Sequence, residues 1–229
     1  MPGYAPSSLE GPFDWPSVTR RVLDLIDELS PSEPVRIVGH DWGAVVAQYA
    51  LATTPTRFRS AAILAVPHML SILDNAQEYP SQFRRSSYMG LFQLPVLSDR
   101  IVRLRDFAYI ERLWRLWSPG FHPGDEYMDE LKLCLRSSLP APLRYYRPLK
   151  DPRVIRDTYR LLQQGPIEVP TIYLHGERDG CIDVRLCEGQ DAWFSALFEQ
   201  VVLSGAGHFL HLERPAEVND AITAYFNAN

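Results

Sequence analysis

The chain of 229 residues has no apolar run of bilayer-spanning length, and its longest, such as Ala61 to Val66, falls far short of the roughly 20 residues a membrane helix needs. No basic stretch followed by an apolar one opens it in the manner of a signal peptide, so a cytoplasmic location and no membrane partner are expected. Cysteine is scarce. Cys134, Cys181 and Cys187 are odd in number and lack C-x-x-C spacing, which argues against a disulfide framework or a zinc site. Neither G-x-G-x-x-G, G-x-x-x-x-G-K nor H-E-x-x-H occurs, so no nucleotide, metal or other cofactor is implied. Positive charge is in deficit: the formal net charge of -5 offers no basic face for nucleic acid. No internal repeat or low-complexity segment interrupts the chain. What remains is 46% hydrophobic, enough for a sizeable core in one domain with an inserted lobe.

The segment Gly39-His40-Asp41-Trp42-Gly43 carries the most chemical information. It follows the apolar run Val35 to Val38, read as a short buried strand, and opens Ala44 to Leu51, read as a helix. A strand, tight turn and helix in that order form the elbow on which many hydrolases mount a serine, with small flanking residues where strand and helix crowd together. Here the central residue is a carboxylate. A serine attacking an sp3 carbon would leave an ether that water does not readily cleave. A carboxylate leaves an ester, which an activated water can hydrolyse, so Asp41 points to alkyl carbon electrophiles. The scheme then requires a base and a group to orient it.

Both have candidates downstream. Thr171 to Leu174 reads as a buried strand followed by His175-Gly176-Glu177-Arg178-Asp179-Gly180, whose loop supplies an acid, with Asp179 favoured and Asp183 its rival. Val201 to Leu203 reads as a strand leading into Gly205-Ala206-Gly207-His208-Phe209, which presents His208. The order nucleophile, acid, histidine is the one recorded for α/β-hydrolases.

On these residues the chain resembles the α/β-hydrolase superfamily, and in particular its aspartate-nucleophile branch of epoxide hydrolases and haloalkane dehalogenases. Pro2-Gly3-Tyr4-Ala5-Pro6-Ser7 and His211-Leu212-Glu213-Arg214-Pro215 extend the likeness over most of the chain. The resemblance implies an α/β fold, a mostly parallel sheet flanked by helices, with an inserted helical cap. The expected division is 1-68 for the first part of the core, 69-165 for the cap and 166-229 for the second part of the core.

The pattern along the chain agrees with that division. Asp14 is placed to cap a helix from Trp15 to Ser30, with Val18, Val22, Leu25, Ile26 and Leu29 on one face. Ala61 to Val66 reads as a strand, and strands alternating with helices imply a parallel sheet. From about His68 to Gly165 the pattern turns helical. Ile101, Leu104, Phe107, Ala108 and Leu116 mark one stripe, and Met128, Leu131 and Leu135 a second within Glu126 to Ser138. Arg100, Arg103, Arg105, Arg112 and Arg115 read as a solvated face, and a last helix runs from about Pro215 to Phe226.

In the epoxide hydrolases of this branch, two cap tyrosines stabilise the oxygen that leaves carbon. Tyr146, in Leu143-Arg144-Tyr145-Tyr146-Arg147, matches one of them, whereas Leu91 occupies the other position and Tyr88 sits one helical turn earlier. Trp42 matches a residue that supplies an indole N–H to a departing halide, a feature both activities share in sequence. Tyr146 favours epoxides over halides. Tyr88, Phe92, Tyr145, His40, His68 and Phe209 are the expected substrate contacts, and His122, His175 and His211 are read as structural. The expected partners are a small apolar organic substrate and water.

The family core begins with several strands ahead of the segment matched by Pro2-Gly3-Tyr4, and an early loop with a His-Gly-x-Pro pattern gives a backbone N–H to the oxyanion hole. The sequence contains no such pattern. The expectation is therefore an N-terminally truncated core, whose ester hydrolysis has only the Trp42 N–H and is slowed, one lost donor typically costing on the order of 3 kcal/mol. Such a chain could instead be an inactive fragment or a non-catalytic interaction module.

Overall fold

Asp14 starts the first helix by accepting a hydrogen bond from the Ser17 N–H at 2.9 Å, and Pro16 fits the first turn, where no intrahelical donor is needed. The computed structural model describes residues 1–229. Helix α1 (Trp15–Leu29) buries Trp15, Val18 and Thr19 and packs Val22, Leu23 and Ile26 against the core. The expected stripe is corrected here. Leu25 and Leu29 are 53% and 76% exposed, because the contact face runs through positions 15, 18, 19, 22, 23 and 26 and leaves Leu25 turned to solvent.

Four parallel strands follow in spatial order: β1 (Val35–His40), β2 (Phe58–Leu64), β3 (Thr171–Gly176) and β4 (Phe198–Leu203). Their register pairs Ile37 with Ala61, Ala61 with Thr171 and Thr171 with Phe198. β3 is buried throughout, as a strand covered on both faces should be. β1 is not the fully buried strand its apolar run suggests. It forms an edge of the sheet, its residues alternate in exposure, and Val38 is 53% exposed.

Helix α2 (Trp42–Thr53) returns from β1 to β2 and packs on both strands and on α1. Between β2 and β3 lies an all-helical segment: α3 (Met69–Asn75), α4 (Ser81–Arg85), α5 (Ser87–Phe92), α6 (Leu97–Arg103), α7 (Ala108–Trp117), α8 (Asp125–Ser138) and α9 (Pro152–Leu162). The stripe expected over Ile101 to Leu116 divides into α6 and α7. Arg105, Asp106 and Phe107 all have positive φ (48°, 52° and 64°), which breaks the helix and leaves Leu104 and Leu116 61% and 51% exposed. The five arginines of this region are exposed. After β4 come α10 (Leu210–Glu213) and α11 (Pro215–Ala228).

Parallel pairing brings the carboxyl ends of all four strands to one edge of the sheet, the usual place for a site in an open α/β sheet. Asp41 follows β1, His68 follows β2, Asp179 follows β3 and His208 follows β4. No helix is long and apolar enough to cross a membrane.

Candidate active site

The turn after β1 holds Asp41 at φ 51° and ψ -121°, a conformation that costs an L-residue on the order of 1–3 kcal/mol and persists only where its surroundings enforce it. Gly39 makes it possible, since a Cβ there would collide with the carbonyl oxygen of Gly43. Gly43 itself meets no such crowding; a Cβ at that position would face open space. The need for small residues thus falls on one side of the elbow.

In the loop after β3, Asp179 Oδ1 accepts the N–H groups of Cys181 and Ile182 at 2.7 and 2.9 Å. Oδ2 is left for the Nδ1–H of His208, at 2.8 Å. The other imidazole nitrogen, Nε2, lies 3.3 Å from Asp41 Oδ1. A continuous line therefore runs from Asp41 through His208 to Asp179, with the side chains of the last two fully buried. Asp183 is elsewhere. Arg185 holds it at 2.9 and 2.8 Å and Arg85 at 3.2 Å, so its carboxyl is pulled down to about 2 mainly by the Arg185 hydrogen bond.

The all-helical segment fixes both loops. The Trp117 carbonyl at the end of α7 accepts the N–H groups of Gly180 and His208 at 2.9 and 3.0 Å. A Cβ at Gly180 would strike the Leu116 carbonyl oxygen, so only glycine permits this approach. Ser118 donates to Glu213 at 2.6 Å and accepts the Phe209 N–H at 3.1 Å, while Glu213 takes the Gly207 N–H at 2.8 Å.

Burial disfavours a charged imidazole, yet the charge of Asp179 and the hydrogen bonds to both carboxylates outweigh it and raise His208 from 6.5 to about 10. Burial likewise opposes the charge on Asp41, but the hydrogen bond and charge of His208 and the Trp42 N–H keep its carboxyl below the ordinary value. At neutral pH the resting pair is carboxylate and imidazolium. His40 is different: burial, then the charge of His208, lowers it to about 3 and leaves it neutral. Its Nε2–H donates to the His208 carbonyl at 2.9 Å.

Asp41 and His208 open onto a cavity of about 550 Å³ whose lining is mostly apolar. Trp42, Tyr145, Tyr146, Phe92, His40 and Phe209 all line it. Trp42 and Tyr146 meet edge to face at 5.1 Å. Burial, then the charge of Asp41, pushes the Tyr146 hydroxyl well above 10, so it is a hydrogen-bond donor at working pH. The Tyr145 hydroxyl is already spent on the Pro2 carbonyl at 2.6 Å, leaving its ring as the contact surface.

Two expected contacts lie outside this cavity. Tyr88 packs behind Tyr146 at 5.6 Å with its hydroxyl on Cys181 Sγ at 3.6 Å, and it lines a neighbouring cleft with Arg84 and Arg112. His68 is buried in a stack on Trp193 at 5.6 Å and edge-on to Phe194 at 5.7 Å, which lowers it to about 4 by burial. Sequence reading missed Trp117 and Trp114, which line the cavity, the latter stacked on Phe209 at 3.7 Å. Tyr4, also on the wall, belongs to a segment singled out for likeness but given no role. No group of three His, Cys, Asp or Glu side chains is gathered to hold a metal ion, and the three cysteines are free.

Residues 1–221 match the model of a family described as the alpha/beta hydrolase family. The chain is 28% identical over 225 residues to epoxide hydrolase 3 of Xenopus tropicalis, covering 95% of this chain and 59% of that protein. It is 27% identical over 258 residues to epoxide hydrolase A of Mycobacterium tuberculosis, covering 96% and 76%. Against four curated relatives, two epoxide hydrolases 3 and two epoxide hydrolases 4, the chain spans 56% to 61% of their length. An epoxide hydrolase of Bacillus megaterium solved with an inhibitor superposes with a TM-score of 0.82 at 21% identity, covering 98% of this chain and 81% of that one. Epoxide hydrolase A of Mycobacterium thermoresistibile gives 0.79 at 23%, covering 99% and 80%. These two show the shared fold.

Proposed function

We propose, on the premise that this chain belongs to the α/β-hydrolase family, that it opens epoxides through an aspartyl ester and releases vicinal diols. The observation that carries the reading is the line Asp41–His208–Asp179, at 3.3 and 2.8 Å, with a carboxylate on the strained elbow lining an apolar cavity. In the first half-reaction an Asp41 oxygen attacks a ring carbon. The carbon–oxygen bond of the ring breaks as the ester bond forms, and negative charge develops on the leaving oxygen. Tyr146, which lines the same cavity, donates to that oxygen, a stabilisation present only as charge appears. The alkoxide takes up the proton that the resting imidazolium holds on Nε2, directly or through water.

Esterification removes the Asp41 charge. His208 then keeps only Asp179 as a charged partner, and its neutral Nε2 is free to take a proton from water. Hydroxide attacks the ester carbonyl, the Trp42 backbone N–H stabilises the resulting oxyanion, and collapse expels the diol oxygen, which takes the proton of the added hydroxyl, so that Asp41 returns as carboxylate and His208 as imidazolium. Asp179 holds the ring in the Nδ1–H tautomer throughout. In this scheme the helical segment is a cap: α5 supplies Phe92, α7 supplies Trp114 and Trp117, and the stretch after α8 supplies Tyr145 and Tyr146 to the wall. The expected substrate is small and apolar, in keeping with that wall, and water is the second reactant.

His208→Asn retains an Nδ1-like donor position but removes the base, so the ester should form and persist. Intact mass after exposure to a panel of epoxides and haloalkanes is the test. A gain equal to the whole mass of an epoxide supports the reading. A gain of the haloalkane less one hydrogen halide would move the assignment to dehalogenation, where the Trp42 indole N–H serves the departing halide. No adduct with any member would leave neither.

A further inference from the structure

Behind the triad acid sits a second imidazole that the proposed chemistry leaves idle. His175, the fifth residue of β3, is fully buried with both ring nitrogens engaged. Nε2 lies 3.2 Å from the Ile182 carbonyl oxygen, and Nδ1 meets the Tyr173 hydroxyl. A carbonyl oxygen only accepts, so Nε2 carries the hydrogen. Burial keeps the ring neutral despite the nearby carboxylates, so Nδ1 is the lone pair that takes the Tyr173 hydrogen. The direction of every bond in this group is thereby fixed.

The same Nε2 stands 3.7 Å from Asp179 Oδ2, the oxygen that receives His208. Ile182, whose carbonyl His175 holds, also donates its N–H to Asp179 Oδ1. The loop is thus gripped through one residue, and an N–H dipole is presented to the same carboxylate oxygen that receives His208. Titratable groups around the ring are Tyr173 on its own strand, Asp179 and Asp183 on the loop after it, and His208 on the loop after β4. A ring needed only to fill space could be replaced by an apolar side chain without leaving a carbonyl and a hydroxyl unpaired. This one satisfies both and faces the working oxygen of the acid.

We propose that His175 is a positioning residue: through its Nε2–H it braces the Asp179–Ile182 turn and fixes the carboxylate that orients His208. The role assigned to His208 rests on the function proposed above, but the arrangement of His175 and Asp179 can be read without turnover.

Two near-isosteres separate positioning from mere fit. Asparagine places its amide near Nδ1 and keeps a partner for Tyr173 while losing the brace. Glutamine reaches the Nε2 position, keeps the donor to Ile182 and loses the Tyr173 bond. In the full 229-residue chain, His175→Asn should lower the NMR titration midpoint of His208 by about one pH unit, because a loosened Asp179 holds the imidazolium less well. It should also lower kcat for epoxide hydrolysis about tenfold with KM within twofold. His175→Gln should keep both near the parent, although each variant lowers Tm. A His175→Asn protein that is folded and retains the parent midpoint and kcat overturns the proposal, as does a His175→Gln protein that loses as much as His175→Asn. If the parent turns over no epoxide, the proposed function fails, and the titration of the resting protein still decides the role of His175.

Discussion

Replacing Asp41 by asparagine reproduces, without any substrate, the charge state of the proposed ester intermediate. In the resting protein His208 Nε2 lies 3.3 Å from the Asp41 carboxylate. At that separation an effective dielectric of about 20 gives an attraction of about 5 kcal/mol. The Asp41 side chain is 31% exposed, and screening by water leaves roughly half of that, about 2–3 kcal/mol, or about two pH units. The His208 midpoint, held at about 10 in the parent, should therefore fall to about 8 in Asp41→Asn. Ring-carbon NMR titration reads it directly. Stability carries the same signature. Because the folded midpoint of His208 lies above its ordinary 6.5, its contribution is complete below that value and is lost as pH rises through about 10. In Asp41→Asn that loss should be finished about two pH units earlier in chemical-denaturation profiles. A His208 midpoint unchanged by the substitution would refute the reasoning, because neutralising Asp41 could then not make the imidazolium readier to give up its Nε2 proton.

Other substitutions probe the supports of the site. Tyr146→Phe removes the donor proposed for the leaving oxygen and should slow ester formation by on the order of 10²-fold in single-turnover stopped flow, with little effect on hydrolysis of the ester. Gly39→Ala forces a Cβ against the Gly43 carbonyl and should cost more than about 3 kcal/mol, visible as loss of the cooperative unfolding transition or a large drop in Tm. Ser118→Ala leaves the Phe209 N–H and one Glu213 oxygen without their partner, at about 1–3 kcal/mol in denaturant titration.

The elements legible in the sequence are those whose cause is local. Asp14 caps the helix that follows it, and the apolar runs of β2 and β3 are buried because both faces of those strands are covered. The chain order of Asp41, Asp179 and His208 could be read because each stands in the turn or loop that follows a strand, and parallel strands deliver their ends to one place. Where the cause is tertiary, local pattern misleads. Val35 to Val38 are apolar enough for a central strand, but β1 has a neighbour on one side. Arg105, Asp106 and Phe107 carry no glycine or proline signal for the break between α6 and α7, so the local pattern reads as one continuous stripe. Tyr88 has the right residue type on a helix beside the site, yet the direction of its hydroxyl is decided by Cys181, 93 residues away. The grip of Trp117 and Ser118 on the acid and histidine loops has no motif, because backbone carbonyls and a single serine leave no pattern in a sequence.

The claim on which the rest depends is that an oxygen of Asp41 becomes bonded to substrate carbon. One enzyme turnover of an epoxide in ¹⁸O-water, with excess protein and mass analysis of the peptide containing Asp41, tests it most directly. The account predicts heavy oxygen in the Asp41 carboxylate and a diol that carries none from that first turnover. Heavy oxygen delivered straight to the diol, with Asp41 unlabelled, would contradict it.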